Sequence, residues 1–301
     1  MRNLISIAAA LIIAGAQSAE AKIKIFACEP EWAALSQELG GDNVDIYTAT
    51  VGTQDPHQVQ ARPSLIAKAR AADLAVCTGA ELELAWMPLI VKQSSNNQIQ
   101  PGAAGYFEAT RYIQLVDVPV TLDRSQGDIH AYGNPHIQTD PRNVLVVAKP
   151  LADKFAELDP SNAETYAARY TDFASRFQSA IAKWETKAAP LRGKPIAVQH
   201  RSWTYMENWL GLNEVIPLEP KPGIPPSSGY LAQVVDTLQK QPVEMIIRSA
   251  YEDPRSSNFV AKRVNVTPVM LPFTIGGTKE ATDLFTLYDT TIDLMLEALN
   301  Q

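Results

Sequence analysis

The sequence predicts an α/β protein of two lobes, each a mainly parallel sheet flanked by helices, joined by one long rigid linking helix. Three patterns carry that expectation. Strand-like and helix-like segments alternate from residue 22 to about residue 80, an uninterrupted helical period runs from 161 to 187, and the alternation resumes at Pro195. Repeated strand–helix–strand units imply parallel strands with helices on both faces, because parallel neighbours need a crossover connection.

The chain opens with Arg2, an apolar run over 4–16 and the small-x-small step Ala19-Glu20-Ala21, which reads as a cleavable signal peptide over 1–21. That run is too short to span a bilayer and no later stretch is long enough, so no membrane insertion is expected. No cysteine follows the cleavage step, so a lipid anchor is not indicated. The expected product is a soluble monomer in the periplasm of a Gram-negative cell. About 280 residues remain, enough for two medium domains with their own cores. The formal net charge is −7 with no polybasic run, which argues against nucleic acid or anionic lipid as a partner.

An N-terminal lobe is expected over 22–160. Strands are read at 22–28, 44–49 and 74–78, with a helix over 31–39 closed by Gly40 and Gly41 and another starting at Pro63, a residue suited to a first helical turn. Asp140 and Pro141 supply an N-cap and first position for a helix to about 158. The linking helix is expected over 161–188, opened by a capping box from Ser161 to Glu164. Tyr166, Tyr170, Phe173, Phe177, Ile181 and Trp184 recur along it at spacings of three and four. Roughly 26 helical residues would reach about 39 Å, enough to connect two lobes. The C-terminal lobe, 189–301, reads as strands at 195–199, 243–248 and 269–272 and helices at 202–210 and 284–299. The proline-rich run 217–228 can be neither helix nor interior strand and is expected as a stiff loop.

Cys28 and Cys77 are the only cysteines, each near the end of an expected strand. In an oxidising compartment the pair is expected to be bridged or simply buried rather than metal-ligating.

Three of the four histidines sit where a strand or loop hands over to a helix: His57 after Asp55 and Pro56, His136 after Asn134 and Pro135, and His200 after Val198 and Gln199. Neutral imidazole is the commonest protein ligand for zinc, and ligands gather at strand ends in α/β folds. His57, His136 and His200 are therefore the candidate metal ligands. His130 is expected as a solvated loop residue.

These segments, taken in order, resemble the cluster A-I solute-binding proteins of bacterial ABC importers for zinc or manganese, and are most similar to the zinc-type members. Asp55-Pro56-His57 with Arg62-Pro63-Ser64 resembles the first ligand loop and its helix, and residues 72–83 resemble the strand that follows. Asn134-Pro135-His136 with Asp140-Pro141-Arg142-Asn143 resembles the second ligand motif, with Asn134 where aspartate is usual. Residues 158–166 resemble the start of the linking helix, and His200-Arg201-Ser202-Trp203-Thr204-Tyr205 the third ligand motif. The resemblance implies a periplasmic protein that captures a metal in the interlobe cleft and delivers it to a membrane permease. It implies Zn²⁺ as the transported ligand, with Mn²⁺ the lesser expectation. Nitrogen ligands favour zinc over manganese, so the physics agrees.

Two departures stand out. The turn 271–277 lacks the aspartate that usually supplies the fourth ligand, leaving water, Glu219, Glu252 or Asp253 as candidates. The histidine-rich loop of many zinc members is reduced to Asp123, Asp128 and His130. Two other readings are carried alongside: a zinc-dependent hydrolase, for which no general base is evident, and a two-lobe binder of a non-metal solute such as a siderophore.

Overall fold

The computed structural model describes residues 22–121, 127 and 130–300. The expected signal segment, Asp123 and Asp128 lie outside them. Two four-stranded parallel sheets organise the chain, in orders β2-β1-β3-β4 and β6-β5-β7-β8. The first comprises β1 (Ile23–Ala27), β2 (Val44–Thr48), β3 (Leu74–Cys77) and β4 (Tyr106–Glu108). The second comprises β5 (Pro195–Val198), β6 (Asn213–Pro217), β7 (Met245–Ser249) and β8 (Thr267–Leu271). Each sheet places its earliest strand beside both its second and third, so the chain order reverses there and leaves a crevice at the strand carboxyl ends.

Both faces of the central strands are buried, as a parallel sheet requires. Ile25, Leu74 and Val76 face one core while Phe26, Ala75 and Cys77 face another. In the second sheet Ile196, Val198 and Ile247 share the first of these cores, while Ala197 and Ile246 turn to a third. That shared core is filled by α1 (Pro30–Gly40), α4 (Pro141–Leu158), α5 (Ala163–Lys187), α6 (Thr204–Leu210) and α9 (Leu284–Leu299), which makes it continuous between the sheets. The outer faces carry α2 (Pro63–Arg70) and α3 (Met87–Ser94) on one sheet, α7 (Ser228–Lys240) and α8 (Pro254–Val264) on the other.

The long helix α5 is present, but its expected capping box is not. Ser161 Oγ and Asn162 Nδ2 donate instead to Asp159, which also accepts from Tyr166 Oη, and a 3₁₀ turn over Pro160–Asn162 precedes the helix. Along its length α5 is tied to both halves: Arg176 pairs with Glu38 at 2.6 Å, and Trp184 Nε1 donates to Asp289 at 2.8 Å. Phe177 and Trp184 pack edge-on and tilted against Phe285 and Tyr288 of α9.

Several elements escaped the sequence reading. Strand β4 has three residues, too few for alternation to show. Strand β6 ends at Pro217, tolerable because β6 is a sheet edge. Beyond it the proline run forms turns until Ser227 caps α7. Asp140 caps α4 as expected, accepting from Arg142 N.

Cys28 and Cys77 form a disulfide across β1 and β3, whose register places Ala27 beside Val76 immediately before them. Next to it lies a cluster of buried carboxyls. Glu29 and Glu83 accept from Thr78 N, and Glu31 accepts from Thr274 Oγ1 of the second half at 2.5 Å. Burial, with the charges of Glu83 and Glu31 close by, pushes Glu29 well above the usual carboxylate range, and burial carries Glu31 up to about 7.

Two outcomes are expected. Replacing both cysteines with serine removes a bridge over a separation of 49 residues and lowers stability by roughly 4 kcal/mol, read by chemical denaturation. Glu31 binds more protons folded than unfolded, so its contribution is fully present at low pH and is lost as pH climbs through about 7. Stability of the metal-free protein should fall over that window, and Glu31→Gln, which keeps an acceptor for Thr274, should flatten part of the fall.

Candidate metal centre

The three histidines singled out in the sequence meet between the two halves. One ring nitrogen from each of His57, His136 and His200 lies within 4.8 Å of the others. Ring centroids are 5.2 Å apart for His57 and His136, 5.8 Å for His57 and His200, and 5.7 Å for His136 and His200.

Each ring is aimed by local structure. His57 follows β2 in a turn where Asp55 Oδ1 accepts from both the His57 backbone N–H at 2.9 Å and ring Nδ1 at 2.8 Å. Nδ1 therefore carries the proton and Nε2 keeps its lone pair for the centre. Burial alone would raise the Asp55 carboxyl, yet these hydrogen bonds hold it below its ordinary value. Trp86 Nε1 donates to Pro56 O at 2.9 Å and anchors the turn.

His200 lies just past β5. Strand pairing continues beyond β6, with Glu219 N donating to Gln199 O, and this brings Glu219 Oε2 to 2.7 Å from His200 Nδ1. Burial works against charge on this imidazole, but the Glu219 hydrogen bond and charge outweigh it and raise the His200 pKa. A carboxylate on one nitrogen again points the other at the centre, the arrangement common behind metal-bound histidines.

His136 is 1% exposed, and neither ring nitrogen has a hydrogen-bond partner. An orphaned buried imidazole is costly unless something occupies its lone pair. Burial and the neighbouring histidines drive its pKa well down, so it stays a neutral donor. Its backbone is fixed by Asn134 Oδ1, which accepts from His136 N at 3.0 Å.

Asn134 also explains its own presence. Its Nδ2 donates to Arg201 O at 3.0 Å and lies 3.1 Å from Asp117 Oδ2 and 3.3 Å from Thr204 Oγ1. An aspartate here would lose the donor and face a second carboxylate.

Of the candidate fourth ligands, Glu219 and Asp253 are otherwise engaged. Glu219 holds His200 and accepts from Gly223 N. Asp253 caps α8 and pairs with Arg255. Glu252 accepts from Ser249 N and keeps Oε1 buried and unpartnered, and burial lifts it to about 7. Where the family resemblance leads one to expect a carboxylate, the turn after β8 presents Phe273, whose ring lies 5.4 Å from His136 and also meets Trp203 and Tyr251.

The expectation for His130 is corrected. It is half-buried, its ring centroid is 5.3 Å from His57 and 6.0 Å from His136, and its Nε2 is 3.3 Å from His57 Nε2. It joins the cluster because Gly127 and Ala131 are each held by distant parts of the chain, not because of any local motif. His130, His136 and His200 line a cavity of about 160 Å³, and His57 and His200 line a cleft of about 630 Å³.

Comparison with known proteins fits this geometry. Residues 25–300 match the family described as zinc-uptake complex component A, periplasmic. The chain belongs to that family. Among curated relatives, the manganese ABC transporter substrate-binding lipoprotein PsaA of Streptococcus anginosus is 21% identical over 288 residues, covering 93% of this chain and 90% of the relative. The metal ABC transporter substrate-binding lipoprotein FimA of Streptococcus parasanguinis is 22% identical over 292 residues, covering 94% and 91%. In fold, a crystal structure of ZnuA superposes with a TM-score of 0.73 at 21% identity, covering 93% of this chain and 98% of that one. The Cd-bound periplasmic metal-binding protein of Candidatus Liberibacter asiaticus gives 0.75 at 17% identity, covering 92% and 100%. This chain is thus a member of the metal ABC-transporter substrate-binding proteins, an extracytoplasmic family of binders rather than enzymes. Both manganese and zinc appear among these relatives and neighbours. Among the described residues no helix is long and apolar enough to cross a membrane.

Asn134→Asp should destabilise the metal-free protein by about 1–3 kcal/mol, the usual cost of orphaning a buried polar partner, and more at neutral than at acid pH. Thermal unfolding at two pH values checks it.

Proposed function

We propose that this protein captures Zn²⁺ in the interlobe cleft through His57, His136 and His200 and hands it to the permease of an ABC importer. The observation that carries the reading is His136, a fully buried imidazole whose two nitrogens lack partners, beside two imidazoles whose outer nitrogens are held by carboxylates. Nitrogen donors suit borderline-soft zinc and are poor partners for manganese, which prefers oxygen. The N-terminal pattern supports export to the periplasm by a cleaved signal peptide, with 22–160 and 189–301 as lobes and 161–188 as their link.

The ligands come from both halves, so the ion cross-links them and its affinity includes the free energy of ordering the loops around it. Asp55 and Glu219 fix the tautomer that leaves a lone pair free on each of their imidazoles. Protons compete for the same lone pairs, so binding weakens as pH falls below about 6.

The test is titration of the chelator-stripped protein with Zn²⁺ and Mn²⁺ against a competing chromogenic chelator. Tight 1:1 zinc binding with much weaker manganese binding is expected, lost in His136→Ala and weakened about 10–100-fold in Glu219→Gln. Zinc affinity equal at pH 5 and pH 7, or untouched by the histidine substitutions, would sink the reading.

A further inference from the structure

The three-histidine site leaves one tetrahedral position open, and the structure offers a residue for it. His130 Nε2 stands 3.3 Å from His57 Nε2. Zinc–nitrogen bonds of about 2.0–2.1 Å in a tetrahedron put neighbouring ligand nitrogens about 3.3–3.4 Å apart. The outer side of His57 is occupied by Asp55, and His130 is hydrogen-bonded to the backbone of Ala80. Their inner nitrogens face each other as two lone pairs, which repel unless a cation lies between them.

The placement of His130 is built into the chain. Ala131 N donates to Glu81 Oε2 at 2.7 Å. Ala80 and Glu81, the partners of His130 and Ala131, hold φ of 49° and 69°, a left-handed conformation that non-glycine residues adopt at a cost. On the other side Gly127 passes so close to Pro222 that a Cβ on it would sit 2.2 Å from the Pro222 carbonyl oxygen. The histidine is thus pinned to the first half through the turn after β3 and to the second through the proline run. Asp55 and Glu219 do not compete for the position, since both are committed to ring nitrogens, and Phe273 fills the wall beside His136.

We infer that His130 is the fourth ligand, so that the ion is held by four imidazoles and no carboxylate. The inference rests on the proposed metal site and names what makes it selective. An all-nitrogen shell excludes manganese more strongly than three histidines and an oxygen would. It also explains how the chain dispenses with an aspartate after β8.

The test is zinc-edge X-ray absorption and Co²⁺ electronic spectra on the purified protein and its His130→Ala and His130→Asp variants, with zinc competition titrations. Four imidazole nitrogens are expected in the unaltered protein and three in His130→Ala. Zinc affinity should fall at least about a hundredfold, beyond what loss of an outer partner causes, while the metal-free melting temperature stays the same. His130→Asp should regain part of the zinc affinity and narrow the gap between zinc and manganese. Unchanged zinc affinity and cobalt spectrum in His130→Ala, with His136→Ala abolishing binding, would overturn the inference and leave the three-histidine site standing. Indifference of zinc affinity to all four histidines would remove both.

Discussion

Everything at the cleft depends on the rigidity of one helix. α5 runs 25 residues and is fastened on both flanks, to α1 through Glu38 and to α9 through Asp289 and a wall of aromatic rings. Because it shares a continuous core with α1, α4 and α9, turning one sheet against the other would expose apolar surface along its whole length. The strand ends of the two sheets are therefore held opposite each other, and loops of modest length can meet there. Gly52 shows how close the halves come, with Ile275 O and Gly277 N only 2.4 and 2.3 Å from where its Cβ would be.

Within that frame two of the four imidazoles have their tautomers fixed. His57 and His200 each give Nδ1 to a nearby carboxylate, Asp55 in the preceding turn and Glu219 just past the neighbouring edge strand. A free imidazole would choose between two tautomers and several rotamers, and these bonds remove the choice before any ion arrives. His136 is oriented differently, by burial under Phe273 and by the Asn134 turn. Preorganisation of this kind reduces the ordering cost of binding.

The fold was legible where local chemistry and global packing agree. Gly40, Pro63, Asp140 and Pro195 mark boundaries by their backbone preferences, and the aromatic period from Tyr166 to Trp184 could only be a long helix. What sequence reasoning missed was set by tertiary contact. Strand β4 exists because Tyr106 and Phe107 pair with β3, and α7 starts after a proline run that gives no helical period. At the site, His57, His136 and His200 announced themselves by their place at element boundaries. His130 did not, because its position comes from Glu81, Ala80 and Pro222, residues far from it in sequence. The one available signal was arithmetic: four histidines in 301 residues, with a glycine three positions to either side of the fourth.

Holding the lobes fixed has a consequence for release. If α5 forbids a wide hinge, a ligand must leave by loop movement, and the histidines differ in how firmly they are held. His136 is buried between its own turn and Phe273, and His200 continues a central strand of its sheet. His130 belongs to no strand or helix; among the described residues its carbonyl accepts from Gly133 N, its ring bonds the backbone of Ala80, Ala131 N donates to Glu81, and Gly127 lies against Pro222. The proline run touches both this segment and, through Glu219, the His200 ring. A permease that displaced 217–228 would therefore loosen two imidazoles in a single movement, without prising the sheets apart.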